Sequence, residues 1–321
     1  MNDPGRCPSF LALTLLFTAL PAVAQDYPNR VIRMVVPQPP GGGADIVARL
    51  ISQKLGETLG QQIVVDNRAG AGGIVGTELV ARAQPDGYTL LIGITGSLTI
   101  NPGLYKNLPY RPLEDFEPIS LAVATPFLLV ANSSVRANSV RELIALAKGG
   151  PVNYSTPGTG SLAHLAMEWF RTATGTQLIH VPYKGSQAFG AVVAGEIPIT
   201  LVSLVSGMPQ MKAGRVKALA ITSKTRSGIL PELPTIAESG VPGFEATNWF
   251  GLLAPRHTPP AIVEKLHQTI ASSVRGADVK TRLAQDGANA IGGTPQEFED
   301  LIRTETKRWA DVIKLSGARV D

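Results

Sequence analysis

Apolar and amphipathic segments alternate along most of the chain. Residues 31–36, 63–65 and 88–92 are short apolar runs, which is the pattern of buried strands. Between them, apolar side chains recur at helical spacing over residues 44–59 and 74–83. Strands that alternate with helices predict a mainly parallel sheet covered by helices, so the predicted fold class is α/β.

The later pattern predicts two lobes joined by two crossover segments. Residues 119–131 form a long, almost wholly apolar run that we interpret as a crossing into a second α/β lobe. Residues 249–254 supply the return crossing, and a final helix that begins at Thr294 and ends near residue 315 is expected to pack on the first lobe. The predicted boundaries are residues 25–124 and 246–321 for lobe 1, and 125–245 for lobe 2. Two crossings permit a hinge, so the lobes can close on a ligand.

The N-terminus has the parts of a secretory signal peptide. Arg6 precedes an apolar run over residues 10–20, and small residues then end at Ala24. We therefore expect residues 1–24 to be a signal peptide cleaved after Ala24, and the mature protein to be periplasmic. The single cysteine, Cys7, precedes the apolar run, so it is not placed to be the lipid-acceptor cysteine of a lipoprotein.

Composition narrows the class of ligand. The 321 residues include 29 Lys and Arg and 25 Asp and Glu, a formal net charge of +4. These charges are scattered and aromatic residues make up only 6% of the chain, so we expect no nucleic-acid partner. A mild positive field favours an anionic ligand. We expect a monomer without a cofactor.

A glycine-rich loop between the first strand and the first helix is the first candidate binding site. Glycine lets a ligand approach the backbone closely, and the first N–H groups of a helix attract carboxylates. Asp45, in the first helical turn, argues against a bare anion site there, and a simple flexible surface turn is the alternative interpretation. The candidate residues of this loop are Gln38, Pro40, Gly41, Gly42 and Gly43.

A second loop of the same kind follows the first strand of the second lobe, and it carries four hydroxyl side chains. If both loops lie at the carboxyl ends of their strands, they can face each other across one cleft. Hydroxyl residues after other strands are further candidates. These candidates are Ser155, Thr156, Gly158, Thr159, Gly160 and Ser161 in the second loop, with Thr95, Ser97 and Ser203 elsewhere.

A third glycine cluster, over residues 68–76, fails as a dinucleotide fingerprint because the glycine spacing is wrong and no acidic residue follows at the required distance. We interpret it as a close contact between a helix and a strand. Catalytic chemistry is also poorly supported, since the sequence has no Gly-x-Ser-x-Gly motif and the mature chain has no thiol. Ser161 and His164 are three residues apart without an acid behind them, and the histidines lack metal-ligand spacing, so we expect neither catalytic nor metal-binding residues.

Several ordered motifs resemble those of the substrate-binding receptors of tripartite tricarboxylate transporters, also called Bug receptors. They are Val-Asp-Asn-Arg-Ala-Gly-Ala-Gly-Gly at residues 65–73, Asp-Gly-Tyr-Thr-Leu at 86–90, Ser-Thr-Pro-Gly at 155–158, Val-Pro-Tyr-Lys-Gly at 181–185 and Leu-Pro-Thr-Ile-Ala-Glu at 233–238. The resemblance implies a type II periplasmic-binding fold. It also implies a carboxylate held by amides, hydroxyls and waters of the first two loops, and membrane permease subunits as partners.

Two departures from that family bear on the ligand. Ala191 and Pro198 stand where the family often has an acid, which in some members holds the ammonium group of an amino acid. Their presence favours a di- or tricarboxylate, an aromatic acid or a related compound over an amino acid. The expected function is a periplasmic solute-binding receptor, not an enzyme. The alternatives are an exported hydrolase that uses Ser161, or a ligand-sensing receptor for a membrane signalling protein.

Overall fold

The computed structural model describes residues 27–285 and 287–319. The predicted signal peptide, residues 1–24, lies outside the described residues. In the described ranges, no helix has both the length and the apolar character needed to cross a membrane.

Lobe 1 begins with three parallel strands and two covering helices. The strands are β1 (Ile32–Val36), β2 (Ile63–Asn67) and β3 (Thr89–Ile94), and the helices are α1 (Gly43–Leu59) and α2 (Ile74–Ala81). β1 lies between β2 and β3 and pairs in parallel with both. The apolar face that predicted α1 is the face buried against this sheet, and the helix ends at a left-handed Gly60.

The remaining elements follow the predicted alternation of strands and helices. A short 3₁₀ turn (Ala71–Gly73) precedes α2, and a π-helical turn (Gly96–Ile100) follows β3. The later strands are β4 (Phe116–Asn132), β5 (Val152–Thr156), β6 (Leu178–Pro182), β7 (Ile199–Ser203), β8 (Val216–Ile221), β9 (Thr247–Pro255) and β10 (Asn289–Ala290). The later helices are α3 (Asn101–Leu104), α4 (Val140–Gly149), α5 (Leu162–Thr174), α6 (Gln187–Val193), α7 (Leu204–Lys212), α8 (Pro260–Arg275), α9 (Ala277–Gln285) and α10 (Pro295–Ser316).

The long strand β4 belongs to both lobes. Its first part, through Pro126, pairs antiparallel with β9, and its second part, from Phe127, pairs antiparallel with β7 and β8. Lobe 1 therefore has the strand order β2-β1-β3-β9-β4-β10, and lobe 2 has the order β6-β5-β7-β4-β8. The predicted fold class, two α/β lobes joined by two crossover segments, is confirmed. The change of partners between Pro126 and Phe127 lies next to the predicted boundary at residue 125.

The C-terminal helix α10 packs on both lobes. Phe298 and Ile302, near its start, lie in a core cluster with Trp249 of lobe 1. Trp309 and Val312, near its end, lie in the core cluster of lobe 2. The prediction that this helix packs on lobe 1 therefore holds only for its first half. A helix of 22 residues is about 33 Å long, so its apolar face extends past one lobe and is buried by the other.

Candidate functional site

A cleft of about 480 Å³ lies between the lobes. We call it the interlobe cleft. Lobe 1 contributes the loop after β1, the turn before α2 and residues around the π-helical turn. Lobe 2 contributes the loop after β5 and the first turn of α5, and the crossing strands contribute Phe127 and Asn248. The two loops that the sequence paired, one from each lobe, thus share a single cavity.

The lobe 2 side of the cleft is the β5 loop (residues 157–161) and the N-terminus of α5. Ser161 caps the helix by accepting a hydrogen bond from the His164 N–H at 3.2 Å, and its hydroxyl donates to the Gly158 carbonyl at 2.7 Å. In the part of the chain that the structure describes, the N–H groups of Thr159, Leu162 and Ala163 donate to no other group. Unpaired amides at the start of a 13-residue helix form a site suited to an anion. Gly158, Thr159, Gly160 and Ser161 of the prediction all line the cleft.

The loop after β1 differs from the prediction in how its amides are used. Only Gln38, among the predicted residues of this loop, lines the cleft, whereas Pro40 and Gly41 to Gly43 lie outside its lining. Asp45 accepts a hydrogen bond from the Gly41 N–H at 2.9 Å, and Gln38 Oε1 accepts one from the Ala44 N–H at 3.4 Å. The Gly41 amide, just before α1, and the Ala44 amide, in its first turn, are therefore already paired within the protein and do not form the open anion site predicted for this loop. The Asp45 side chain already occupies the position that an anionic ligand would take.

Asp45 remains ionised in this role. Its hydrogen bond with the Arg49 guanidinium lowers the pKa of its carboxyl, and the Gly41 N–H acts in the same direction. The charged carboxylate stabilises the start of α1, in the position that the helix dipole favours. The Gly43 Cα hydrogens face the Phe250 ring, since a Cβ there would lie 3.1 Å from Phe250 Cζ. The lack of a side chain at Gly43 therefore lets the start of α1 pack closely against Phe250.

The lobe 1 amides that do face the cleft belong to the glycine turn (residues 70–73). Ala71 and Gly72 donate their N–H groups to no other described residue. Asn101 holds the turn by donating its side-chain amide to the Gly72 carbonyl at 3.1 Å, and Thr77 donates its hydroxyl to the Gly73 carbonyl at 2.8 Å. All four residues of the turn line the cleft, together with Asn101. Sequence reasoning missed this part of the site because it tested the cluster only as a nucleotide motif.

Thr95 and Ser97 are fully buried behind the cleft. The Thr95 hydroxyl accepts a hydrogen bond from the Trp249 backbone N–H at 3.0 Å, which joins β3 to the crossing strand β9. The Ser97 hydroxyl donates to the Ile94 carbonyl at 3.4 Å. Gly96, between them, is the residue of this segment that lines the cleft. The two hydroxyls support the cleft from behind.

Three predicted residues of lobe 2 also lie outside the lining. Ser155 is fully buried and donates its hydroxyl to the Ala188 carbonyl at 2.8 Å. Thr156, also buried, has its hydroxyl 2.6 Å from His180 Nε2. Ser203 caps α7, where its oxygen accepts from the Ser206 N–H at 3.3 Å. Each of these hydroxyls is hydrogen-bonded within the protein at the end of its strand. Their assignment as ligand contacts stays a prediction.

None of the described residues that line the interlobe cleft carries a charged side chain. The polar side chains of the lining are neutral amides and hydroxyls, and the apolar ones lie among them. The polar set is Gln38, Asn101, Tyr105, Thr159, Ser161 and Asn248, and the larger apolar set is Ile94, Leu104, Phe127 and Leu162. Such a cavity offers hydrogen-bond donors to an anion without a cationic partner. It offers no acid to an ammonium group.

Ala191 and Pro198, whose identities suggested a ligand without an ammonium group, lie away from the cleft. Ala191 lies on α6 and is buried in a core cluster of lobe 2, and Pro198 precedes β7. Neither residue is part of the lining of the interlobe cleft.

The Ser161–His164 pair does not have the geometry of a nucleophile and its base. His164 Nδ1 accepts a hydrogen bond from the Gly160 N–H at 3.1 Å, while the Ser161 hydroxyl is bonded to the Gly158 carbonyl. His164 is only 5% exposed, so its ring is buried and not solvated. Across residues 27–285 and 287–319, no three His, Cys, Asp or Glu side chains are grouped so that they could hold a metal ion.

Comparison with known proteins agrees with this geometry. The sequence profile of the tripartite tricarboxylate transporter family receptor matches residues 47–318. Protein BugT of Bordetella pertussis is 38% identical, over 94% of this chain and 94% of its own length. Rpa4515 of R. palustris, solved with adipate, superposes with a TM-score of 0.81 at 37% identity, over 92% of this chain and all of that one.

A second solved structure, MatC from Rhodopseudomonas palustris with bound malate, gives a TM-score of 0.76 at 34% identity. It covers 89% of this chain, and 100% of its own length is matched. Both the sequence profile and these structures match nearly the whole of the described chain. The chain therefore belongs to the receptor family of tripartite tricarboxylate transporters, the family of the Bug proteins.

Proposed function

We propose that this protein captures a small organic carboxylate in the interlobe cleft and delivers it to the membrane permease subunits of a tripartite transporter. The observation that carries the proposal is the pair of unpaired amide sets, one from the glycine turn of lobe 1 and one from α5 of lobe 2, that line one uncharged cavity. Export through a signal peptide cleaved after Ala24, with the mature receptor in the periplasm, is part of the same proposal, as is the absence of catalytic activity.

Two amide sets suit a ligand with two anionic or strongly accepting ends. A charge-assisted hydrogen bond from an amide to a carboxylate is worth about 1.5–3 kcal/mol, so two or three such bonds at each end supply useful affinity without a cationic side chain. The solved relatives hold adipate and malate, both dicarboxylates. Apolar side chains such as Leu104 and Phe127 can contact the carbon chain between the carboxylates. We therefore favour a dicarboxylate over a tricarboxylate or an amino acid.

Ligand capture follows from the position of the two amide sets. A dicarboxylate that bonds to both sets binds the closed arrangement of the lobes better than the open one, and it shifts the population toward closure by that difference. Rotation is centred on the two crossings, where β4 changes partners between Pro126 and Phe127. The closed, ligand-bound form is the species that a permease would recognise.

The first test is a binding panel on the mature protein. Thermal shift and isothermal titration calorimetry with adipate, succinate, malate, citrate, benzoate, aspartate and glutamate should give binding by at least one dicarboxylate and weaker binding by the matched amino acids. Tight binding of aspartate or glutamate, with none of the dicarboxylates, would contradict the proposed ligand class. Turnover of ester substrates that disappears in Ser161→Ala would favour a hydrolase instead.

The second test uses two glycines with the same backbone conformation. Gly72 in the glycine turn has φ +64°, and Gly175 at the end of α5 has φ +62°, with nothing within 4 Å of a Cβ built there. Valine at either position carries the same left-handed strain, but only at Gly72 does it obstruct approach to the cleft amides. Gly72→Val should lower affinity by about tenfold or more, while Gly175→Val should lower stability alone. Equal affinities of the two variants would remove the glycine turn from the site.

A further inference from the structure

Two histidines lie stacked directly behind the β5 loop. The rings of His164 and His180 have centroids 3.9 Å apart and are inclined by 22°. Each ring contacts the loop through one nitrogen. His164 Nδ1 accepts the Gly160 N–H at 3.1 Å, and His180 Nε2 lies 2.6 Å from the Thr156 hydroxyl, which donates to the Gly158 carbonyl at 3.2 Å. The pair therefore holds the loop at two points.

The contact with Gly160 defines the protonation state of His164 Nδ1. An Nδ1 that accepts a hydrogen bond carries no proton, so His164 is the neutral Nε2–H tautomer. The Thr156 hydroxyl is paired with His180 Nε2, with the donor set by the His180 tautomer. Burial lowers the pKa of both imidazoles, and His164 lowers the pKa of His180 further, to about 4. A proton on His164 Nδ1 would remove the acceptor of the Gly160 N–H.

Charged and titratable groups face this pair from two elements. Glu168 of α5 favours the protonated rings, but its carboxylate is bound by Arg171 at 2.7 Å and by the Tyr154 hydroxyl of β5 at 2.6 Å. Arg171 acts against protonation of His164. The Tyr154 ring stacks on the other face of His180, with centroids 5.2 Å apart. Burial and Arg171 thus favour the neutral form of His164, and burial favours that of His180.

We propose that His164 is a positioning residue for the ligand: as a neutral imidazole stacked on His180, it fixes Gly160 so that the amides of Thr159, Leu162 and Ala163 face the cleft. Gly160 has φ +77°, a conformation that the loop must retain for these amides to converge. This inference rests on the proposed function, because it assigns the support of the same site. It predicts that acidification, by protonating His164, releases the loop and lowers ligand affinity.

The test separates the acceptor from the bulk of the ring. Asn at residue 164 places an oxygen near the position of Nδ1 and does not titrate, whereas Phe keeps the stack on His180 but offers no acceptor. Amide hydrogen exchange of Gly160, measured by NMR without ligand, should accelerate about tenfold in His164→Phe and stay near wild type in His164→Asn. The Gly175 amide, bonded to the Arg171 carbonyl at the other end of α5, is the internal reference and should not change. Unchanged Gly160 exchange in a folded His164→Phe would overturn the proposal.

The pH dependence tests the same residue without a variant that could misfold. In the wild-type protein, the protection of the Gly160 amide, normalised for intrinsic exchange, should be constant near pH 7. It should decrease only at pH values well below 6.5, the ordinary pKa of histidine. In His164→Asn that fall should be absent, and in the exposed control His257→Asn it should persist. The affinity for adipate, measured over the same pH range, should decrease more on acidification in wild type and His257→Asn than in His164→Asn. If none of the dicarboxylates of the panel binds while Gly160 still responds to His164, the ligand class is wrong and the support of the loop by His164 stands. A pH profile of Gly160 protection that His164→Asn leaves unaltered excludes the role.

Discussion

Glu305 offers a sharp test of the electrostatics at the hinge. This carboxyl is 3% exposed on α10, and its Oε2 accepts the indole N–H of Trp249 at 2.8 Å and that of Trp309 at 3.5 Å. Trp249 lies on the crossing strand β9, and Trp309 lies in the core of lobe 2. Arg308 is the nearest cation, with a guanidinium nitrogen 3.8 Å from Oε1. Burial raises the pKa of Glu305 from 4.5 to about 7, because two indole donors and the long ion pair with Arg308 do not replace the lost water.

The raised pKa sets the direction of the effect on stability. The folded protein holds this proton more tightly than the unfolded chain, so the contribution of Glu305 is fully present below about pH 4.5 and is lost as pH rises to about 7. Each tenfold change in proton affinity is worth about 1.4 kcal/mol, so the ionised side chain destabilises the fold by about 3 kcal/mol at pH 8. Glu305→Gln keeps an oxygen acceptor for Trp249 and removes the ionisation. The variant should therefore be more stable than wild type at pH 8, by about 3 kcal/mol, and equal to it near pH 4.5.

Differential scanning calorimetry between pH 4.5 and pH 8 measures this difference. In a chain of this size, about 3 kcal/mol corresponds to a rise in Tm of roughly 6 °C at pH 8. Glu299→Gln is the matched control, since Glu299 lies on the same helix in an exposed pair with Arg303 and should change stability by less than about 1 kcal/mol. A Glu305→Gln protein that is less stable than wild type at pH 8 would refute the reasoning. That result would mean that the ionised carboxylate stabilises the hinge through its indole hydrogen bonds.

Two further substitutions test the packing and the use of the loops. Gly76→Ala should lower the free energy of unfolding by about 1–3 kcal/mol in urea titrations, because a Cβ there lies 2.7 Å from the Arg68 carbonyl oxygen and 3.0 Å from Pro37 Cα. An unchanged urea midpoint would mean that α2 can shift to accommodate the methyl group. Gly42→Ala should change dicarboxylate affinity by less than about twofold, since Gly42 has an ordinary φ of −76° and lies outside the cleft lining. A loss of affinity comparable to that of Gly72→Val would mean that the start of α1 contacts the ligand.

Much of the fold could be predicted from local patterns. The strands and the long helices follow from the periods of apolar residues, which are set by backbone geometry over a few residues. The capping box of Thr294 and Glu297 marked the start of α10, and the structure has both of its hydrogen bonds. The long apolar run over residues 119–131 predicted a crossing between two lobes, and the structure shows that the single strand β4 makes this crossing. The two lobes followed because the alternation of strands and helices starts again after that run.

The site could be predicted only in part. From the sequence alone we predicted that a glycine- and hydroxyl-rich loop follows a strand in each lobe, and we expected neither catalytic nor metal-binding residues. Tertiary structure decided which amides remain unpaired, because that depends on whether a side chain such as Asp45 reaches back to the loop. It also brought the glycine turn to the cleft and His164 behind the β5 loop, since strand order and ring stacking join residues far apart in sequence. Local spacing carries no information about such partners, whereas the position of each strand in its sheet fixes them.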